Sequence, residues 1–125
     1  MAFEWVRYLN LARELAKRTD EESLRSSISR AYYAAFNTAA DHLRSEGIVV
    51  PKADAHTFVW NTFRSSTDME RGMIGENGDR LRIWRNYADY SGVFPNLDRY
   101  VKTALPLAEK ILRNLADLST PDSPG

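Results

Sequence analysis

The chain contains no cysteine, which excludes disulfides, thiol catalysis and thiolate metal sites. Its two histidines, His42 and His56, are too few for a histidine-rich metal site. Net charge is missing as well: 17 basic residues face 17 acidic ones. No bulk electrostatic grip on nucleic acid is implied, so any such binding must come from a local patch. No apolar run approaches the roughly 18 residues that cross a bilayer. The opening Met-Ala-Phe-Glu-Trp lacks the basic and apolar regions of a signal peptide. These absences lead to the expectation of a soluble, cytoplasmic protein with no membrane partner. Strand-like alternation and internal repeats are also absent.

What remains is helical periodicity. At 125 residues the chain is long enough for one domain, and roughly two-thirds of its unfolded surface should be buried on folding. Its 43% hydrophobic and 27% charged residues are ordinary globular values. Helix one is expected from about Phe3 to Arg18, with Trp5, Leu9 and Ala12 on its apolar face. Thr19 and Glu22 have capping-box spacing for a long second helix, which Gly47 would end in the left-handed conformation. Five alanines between positions 31 and 40 would let neighbours approach it closely, so it is expected to be central. Asp54 is a plausible N-cap for helix three. Ser65 to Gly78, punctuated by Gly72, Gly75 and Gly78, reads as a loop. Helix five runs from Leu97 to about Leu118, with Pro106 on its outer face. The fold expected is an all-α antiparallel bundle of about five helices over residues 1–118, followed by a tail of disordered-linker composition, Ser119 to Gly125.

Helix four, Leu81 to Tyr90, carries the candidate site. At about 100° per residue, Leu81, Ile83, Trp84, Tyr87, Ala88 and Tyr90 cover one half. Arg82, Arg85, Asn86 and Asp89 share an arc on the other. A rigid helix presenting two guanidiniums, an amide and a carboxylate is how a site would be built. It equally suits a solvated helix face, in which Arg85 and Asp89 are plain i,i+4 support worth roughly 0.2–0.5 kcal/mol. His42 falls on the apolar arc of helix two and is expected to be a hydrogen-bonded core histidine. His56, in the first turn of helix three, is expected to be an end-of-helix packing contact.

Arg30-Ala-Tyr-Tyr-Ala-Ala-Phe36, His56, Arg85-Asn86 and Ala88-Asp89-Tyr90 together resemble the HEPN domain, the family named for higher eukaryotes and prokaryotes nucleotide-binding. The resemblance covers roughly residues 5 to 115. It implies a four- or five-helix bundle forming a two-fold homodimer. It also implies metal-independent endoribonuclease chemistry with no cofactor, a role in toxin–antitoxin or defence systems, and a nucleotidyltransferase-type antitoxin as partner. On this pattern Arg85, Asn86, Asp89 and Tyr90 are the candidate catalytic residues, and Arg30, Arg82 and Arg85 the RNA- or phosphate-binding ones. The sequence departs from the family in one respect: no histidine follows Arg85. Tyr90 and Asp89 are poor proton carriers at neutral pH, and general acid–base help is worth about 10²–10⁴-fold. The expected function is therefore an RNA-, nucleotide- or partner-binding module with a degenerate ribonuclease motif. Two alternatives stand beside it. One is an active ribonuclease in which Asp89, Tyr90 or His56 replaces the missing histidine. The other is a structural interaction module whose polar face is merely solvated.

Overall fold

The computed structural model describes residues 2–119. The described residues form five α-helices and no strand: α1 (Val6–Ala16), α2 (Glu21–Ser45), α3 (Ala55–Arg64), α4 (Met69–Tyr90) and α5 (Leu97–Ser119). None is long and apolar enough to cross a membrane. Ser119 closes α5, and the remainder of the expected disordered tail, 120–125, lies outside the described residues.

Helix α2 packs against each of the other four, which are arranged around it in the order α1, α5, α4, α3. The small side chains make this possible. Ala31, Ala34, Ala35, Ala39 and Ala40 are all essentially inaccessible, so the flanking helices approach the α2 backbone closely. The ends of α2 are set locally. Asp20, not Thr19, is its N-cap, and its carboxylate accepts from the Ser23 amide at 3.0 Å. That interaction holds the Asp20 carboxyl down at about 2, with the Ser23 hydroxyl the largest cause. Gly47 follows α2 at φ +84°, as its lack of a Cβ allows. Asp54 does precede α3, but in the left-handed region and with no side-chain cap bond. Pro106 is accommodated within a continuous α5.

The largest departure from expectation is α4. It begins at Met69, capped by the Asp68 carboxylate on the Arg71 amide at 3.0 Å. The stretch read as a glycine-rich loop is therefore its first half. The glycines serve packing. A Cβ on Gly75 would lie 2.5–2.8 Å from the α3 backbone at Trp60 and Arg64, and one on Gly78 would lie 2.2–2.4 Å from the Trp60 ring. Trp60 is thereby sealed in the core at 1% exposure. A bidentate Arg71–Glu46 pair, 2.8 and 2.9 Å, ties the start of α4 to the end of α2.

The facing of α4 also differs. Its buried seam is Ile74, Gly78, Leu81, Arg85 and Ala88, at alternating spacings of four and three. Arg85 lies inside this seam, while Ile83, Tyr87 and Tyr90, expected to face the core, are exposed. Ile74, Gly75 and Gly78 lie on the arginine side of Leu81 in projection, and they rotate the inward arc toward Arg85.

Candidate functional site

The site is built where α2, α3 and α4 meet. Tyr32 on α2 is fully buried, and a buried phenol needs a partner for its hydroxyl. Two come from α3. The Trp60 indole N–H donates to Tyr32 Oη at 3.0 Å, and His56 Nδ1 lies 2.5 Å from the same oxygen. The His56 ring also stacks on Phe36, with centroids 3.9 Å apart and planes 14° from parallel.

Arg85 enters this cluster from α4 and is only 6% exposed. Its guanidinium carbon stands 5.0 Å from the Tyr32 ring, 5.2 Å from Tyr33 and 5.9 Å from Tyr90. Cation–π contacts of this kind contribute about 0.5–2 kcal/mol each. The carboxylate partner is distant: Asp89 Oδ2 is 3.9 Å from Nη1, beyond hydrogen-bond range. That carboxylate is instead held by the Ser29 hydroxyl at 3.1 Å. Arg85 Nε is buried without a hydrogen-bond partner among the described residues. The guanidinium acts weakly on the Tyr32 hydroxyl as a donor, but neither terminal nitrogen makes a hydrogen bond of full geometry among the described residues. Removing a cation from water costs several kcal/mol, and an unanswered buried N–H costs about 1–3 kcal/mol. The aromatic box and a long ion pair offset only part of that sum.

Desolvation drives the electrostatics here. Burial, followed by the charges of Arg85 and Arg82, lowers the His56 pKa to about 4. The imidazole is therefore neutral at pH 7. Burial also pushes the Tyr32 phenol upward, so it keeps its proton.

The remaining candidates lie around this centre. Arg82 is half-buried and paired with Asp79 at 3.0 Å. Arg30 lies over Tyr8 at 4.8 Å and over Tyr33 at 5.3 Å, so Tyr33 takes a guanidinium from both α2 and α4. Asn86 is exposed and, with Tyr87, Tyr90 and Ser91, lines a shallow hollow of about 270 Å³. A larger cleft, about 670 Å³, lies away from the site at the starts of α2 and α5. Arg85, Asp89 and Tyr90 thus come together, and Arg30 reaches them through Tyr33. The common wet face expected for Arg82, Arg85, Asn86 and Asp89 does not form, because Arg85 turns inward.

Four residues play larger parts here than the sequence pattern gave them. His56 is an integral part of the cluster and more than an end-of-helix contact. Tyr32 and Trp60 carry it, and the available signal was a tyrosine amid buried alanines, whose hydroxyl had to be answered. Arg25 was also missed. It donates to the carbonyls of Ala88 (3.1 Å) and Ser91 (2.5 Å), and so caps the end of α4 that bears Asp89 and Tyr90. His42, expected to be a hydrogen-bonded core histidine, is only partly buried: Nδ1 lies 3.3 Å from the Ser119 hydroxyl, and Nε2, 3.5 Å from Glu46, makes no hydrogen bond among the described residues.

The chain matches no protein-family model, and no curated protein or solved structure is significantly similar to it.

Proposed function

We propose that this chain is a HEPN-like helical protein that binds RNA or nucleotide phosphate and does not cleave it efficiently, within a toxin–antitoxin or defence setting. The observation that supports this reading is the state of Arg85. A guanidinium in an aromatic box, with an unpartnered Nε and no close carboxylate, is incompletely compensated. A phosphate oxygen at its exposed tip would supply the missing partner, in the geometry that arginine favours. The narrow access implies that Tyr33 or Tyr90 moves aside as the ligand seats. The weak side of the chemistry is proton transfer. No histidine stands one turn beyond Arg85, and His56 is neutral at pH 7.

A two-fold homodimer belongs to the same proposal, as does a nucleotidyltransferase-type antitoxin partner. Two large aromatics are used within the protomer: Trp60 is bonded to Tyr32, and Trp84 packs on Tyr100. Exposed apolar residues include Ile83, Tyr87 and Tyr90 on the outer side of α4, with Val93 just beyond.

The test is a fluorescence-anisotropy titration with a 12-nucleotide single-stranded RNA of mixed sequence, with gel analysis of the same samples. Wild type should bind without cutting. Arg85→Met, which keeps the side-chain volume, should weaken binding at least tenfold with unchanged circular dichroism. Sedimentation of the same preparation should give twice the chain mass. Equal RNA affinity in wild type and Arg85→Met would end the proposal. Robust cleavage lost in Arg85→Met would replace it with the active-ribonuclease reading.

A further inference from the structure

We infer that Trp60 and Tyr32 lock His56 as a fixed Nε2–H donor, and that this N–H, on the same Tyr32–Tyr33 pair that Arg85 covers, is a second recognition point for a phosphate oxygen. The inference rests on the phosphate-binding reading above and deepens it.

Donor and acceptor counting fixes the tautomer. An indole N–H can only donate, so Tyr32 Oη accepts from Trp60. The Tyr32 hydroxyl proton then needs an acceptor. Tyr32 is fully buried; Arg85, which also acts on its oxygen, can only donate, so among the described residues the acceptor beside it is His56 Nδ1 at 2.5 Å. If Nδ1 accepts that proton, all three groups are satisfied and the ring's own hydrogen sits on Nε2. The opposite tautomer would make Tyr32 Oη accept twice and leave its proton buried without a partner. Protonating the ring would do the same. The relay therefore acts in the same direction as burial and as the charges of Arg85 and Arg82, which already keep this imidazole neutral. Tyr32, Tyr33 and Phe36 from α2 pack on His56, Trp60 from its own helix reaches it through Tyr32, and the charges of Arg85 and Arg82 on α4 act on it. None is a carboxylate that would favour the imidazolium.

The orientation of the ring completes the case. Phe36 covers one ring face and Tyr32 holds Nδ1, while Nε2 has no partner among the described residues and keeps contact with solvent. A donor at that position, in the field of two arginines, selects an anionic acceptor. It also cannot serve as a base at Nε2 without inverting the relay. The histidine from α3 thus adds to binding and contributes nothing to cleavage, in line with an RNA-holding module. Phosphodiester and terminal phosphate share this chemistry. The probes that separate them are the 12-nucleotide RNA, adenosine monophosphate and inorganic phosphate.

The tautomer is read directly, without a ligand, from the two imidazole ¹⁵N shifts of His56 in the full-length protein. Wild type should show Nε2–H at pH 7 and keep it to about pH 5. In Tyr32→Phe the restraint is gone, both tautomers should appear, and RNA affinity should fall about two- to threefold as the competent fraction drops. His56→Ala should weaken RNA binding about tenfold or more. A wild-type Nδ1–H tautomer, or titration of His56 at its ordinary pKa near 6.5, would overturn the inference. So would unchanged RNA affinity in His56→Ala, even where Arg85→Met abolishes binding; phosphate recognition by Arg85 alone would then stand. If RNA, adenosine monophosphate and inorganic phosphate all fail to bind wild type, the reading of the whole site falls.

Discussion

His56 illustrates how a single residue couples stability to pH. Its folded pKa of about 4 lies below the 6.5 of an unconstrained imidazole, chiefly through burial and then through Arg85 and Arg82. Between those values the unfolded chain binds the extra proton and the folded chain does not, so stability falls as pH drops from about 6.5 to about 4. Two carboxylates act lower. Arg71 holds the Glu46 carboxyl below its ordinary 4.5, and Asp20 titrates at about 2 instead of 3.8. Their stabilisation is complete above their ordinary pKa values and is lost as pH falls through the lowered ones. Acid unfolding should therefore begin with His56 and steepen below pH 4.5. Urea denaturation from pH 8 to 4, with wild type beside His56→Gln, checks this. The variant should be flat between pH 6.5 and 5 where wild type declines. A decline of equal slope in both would assign the effect to another group.

The three glycines of α4 show how far an element can be inferred from its residues. Glycine costs a helix about 1 kcal/mol relative to alanine, and the three together read as a break. Their surroundings differ. Gly72 faces open space, so Gly72→Ala should stabilise the protein by about 0.5–1 kcal/mol. Gly78 lies against the Trp60 ring and Gly75 against the α3 backbone, so alanine at either should cost about 1–3 kcal/mol. Gly75→Ala should be the worse, since a backbone cannot rotate away. Thermal melts of the three variants check the order; a neutral Gly75→Ala would mean that α3 and α4 do not pack this closely. The same residues mark the limit of what was legible. Helices α1, α2, α3 and α5, the central place of α2 and its glycine stop follow from local pattern. The first half of α4 did not, because its glycines answer to Trp60 and Arg64, residues on another helix. Losing that half also lost the facing of Arg85. The arginine, amide and carboxylate on α4 could be seen in the sequence, but their meeting with His56 and Tyr32 depends on how three helices cross.

At the scale of the whole molecule, 17 positive charges balance 17 negative ones, and two of the cations around the site are already partnered. Arg82 pairs with Asp79 and Arg25 with Glu21. Arg85 and Arg30 rest mainly on aromatic faces, and neither has a close carboxylate. A strand of RNA bound here would thus displace counterions at only two or three phosphates. For single strands each such contact changes the slope of log K against log salt by about −0.7, so the slope should be about −1.5 to −2. A protein that gathers RNA through a broad basic surface would give a much steeper dependence. The measurement is the anisotropy titration of the 12-nucleotide RNA repeated between 50 and 300 mM salt. A shallow slope, reduced by about one contact's worth in Arg85→Met, fits recognition at a buried, aromatic-lined guanidinium. A slope steeper than about −4 that Arg85→Met leaves unaltered would place the RNA on some other face, and Arg85 would be left with a structural role, joining α4 to the tyrosines of α2.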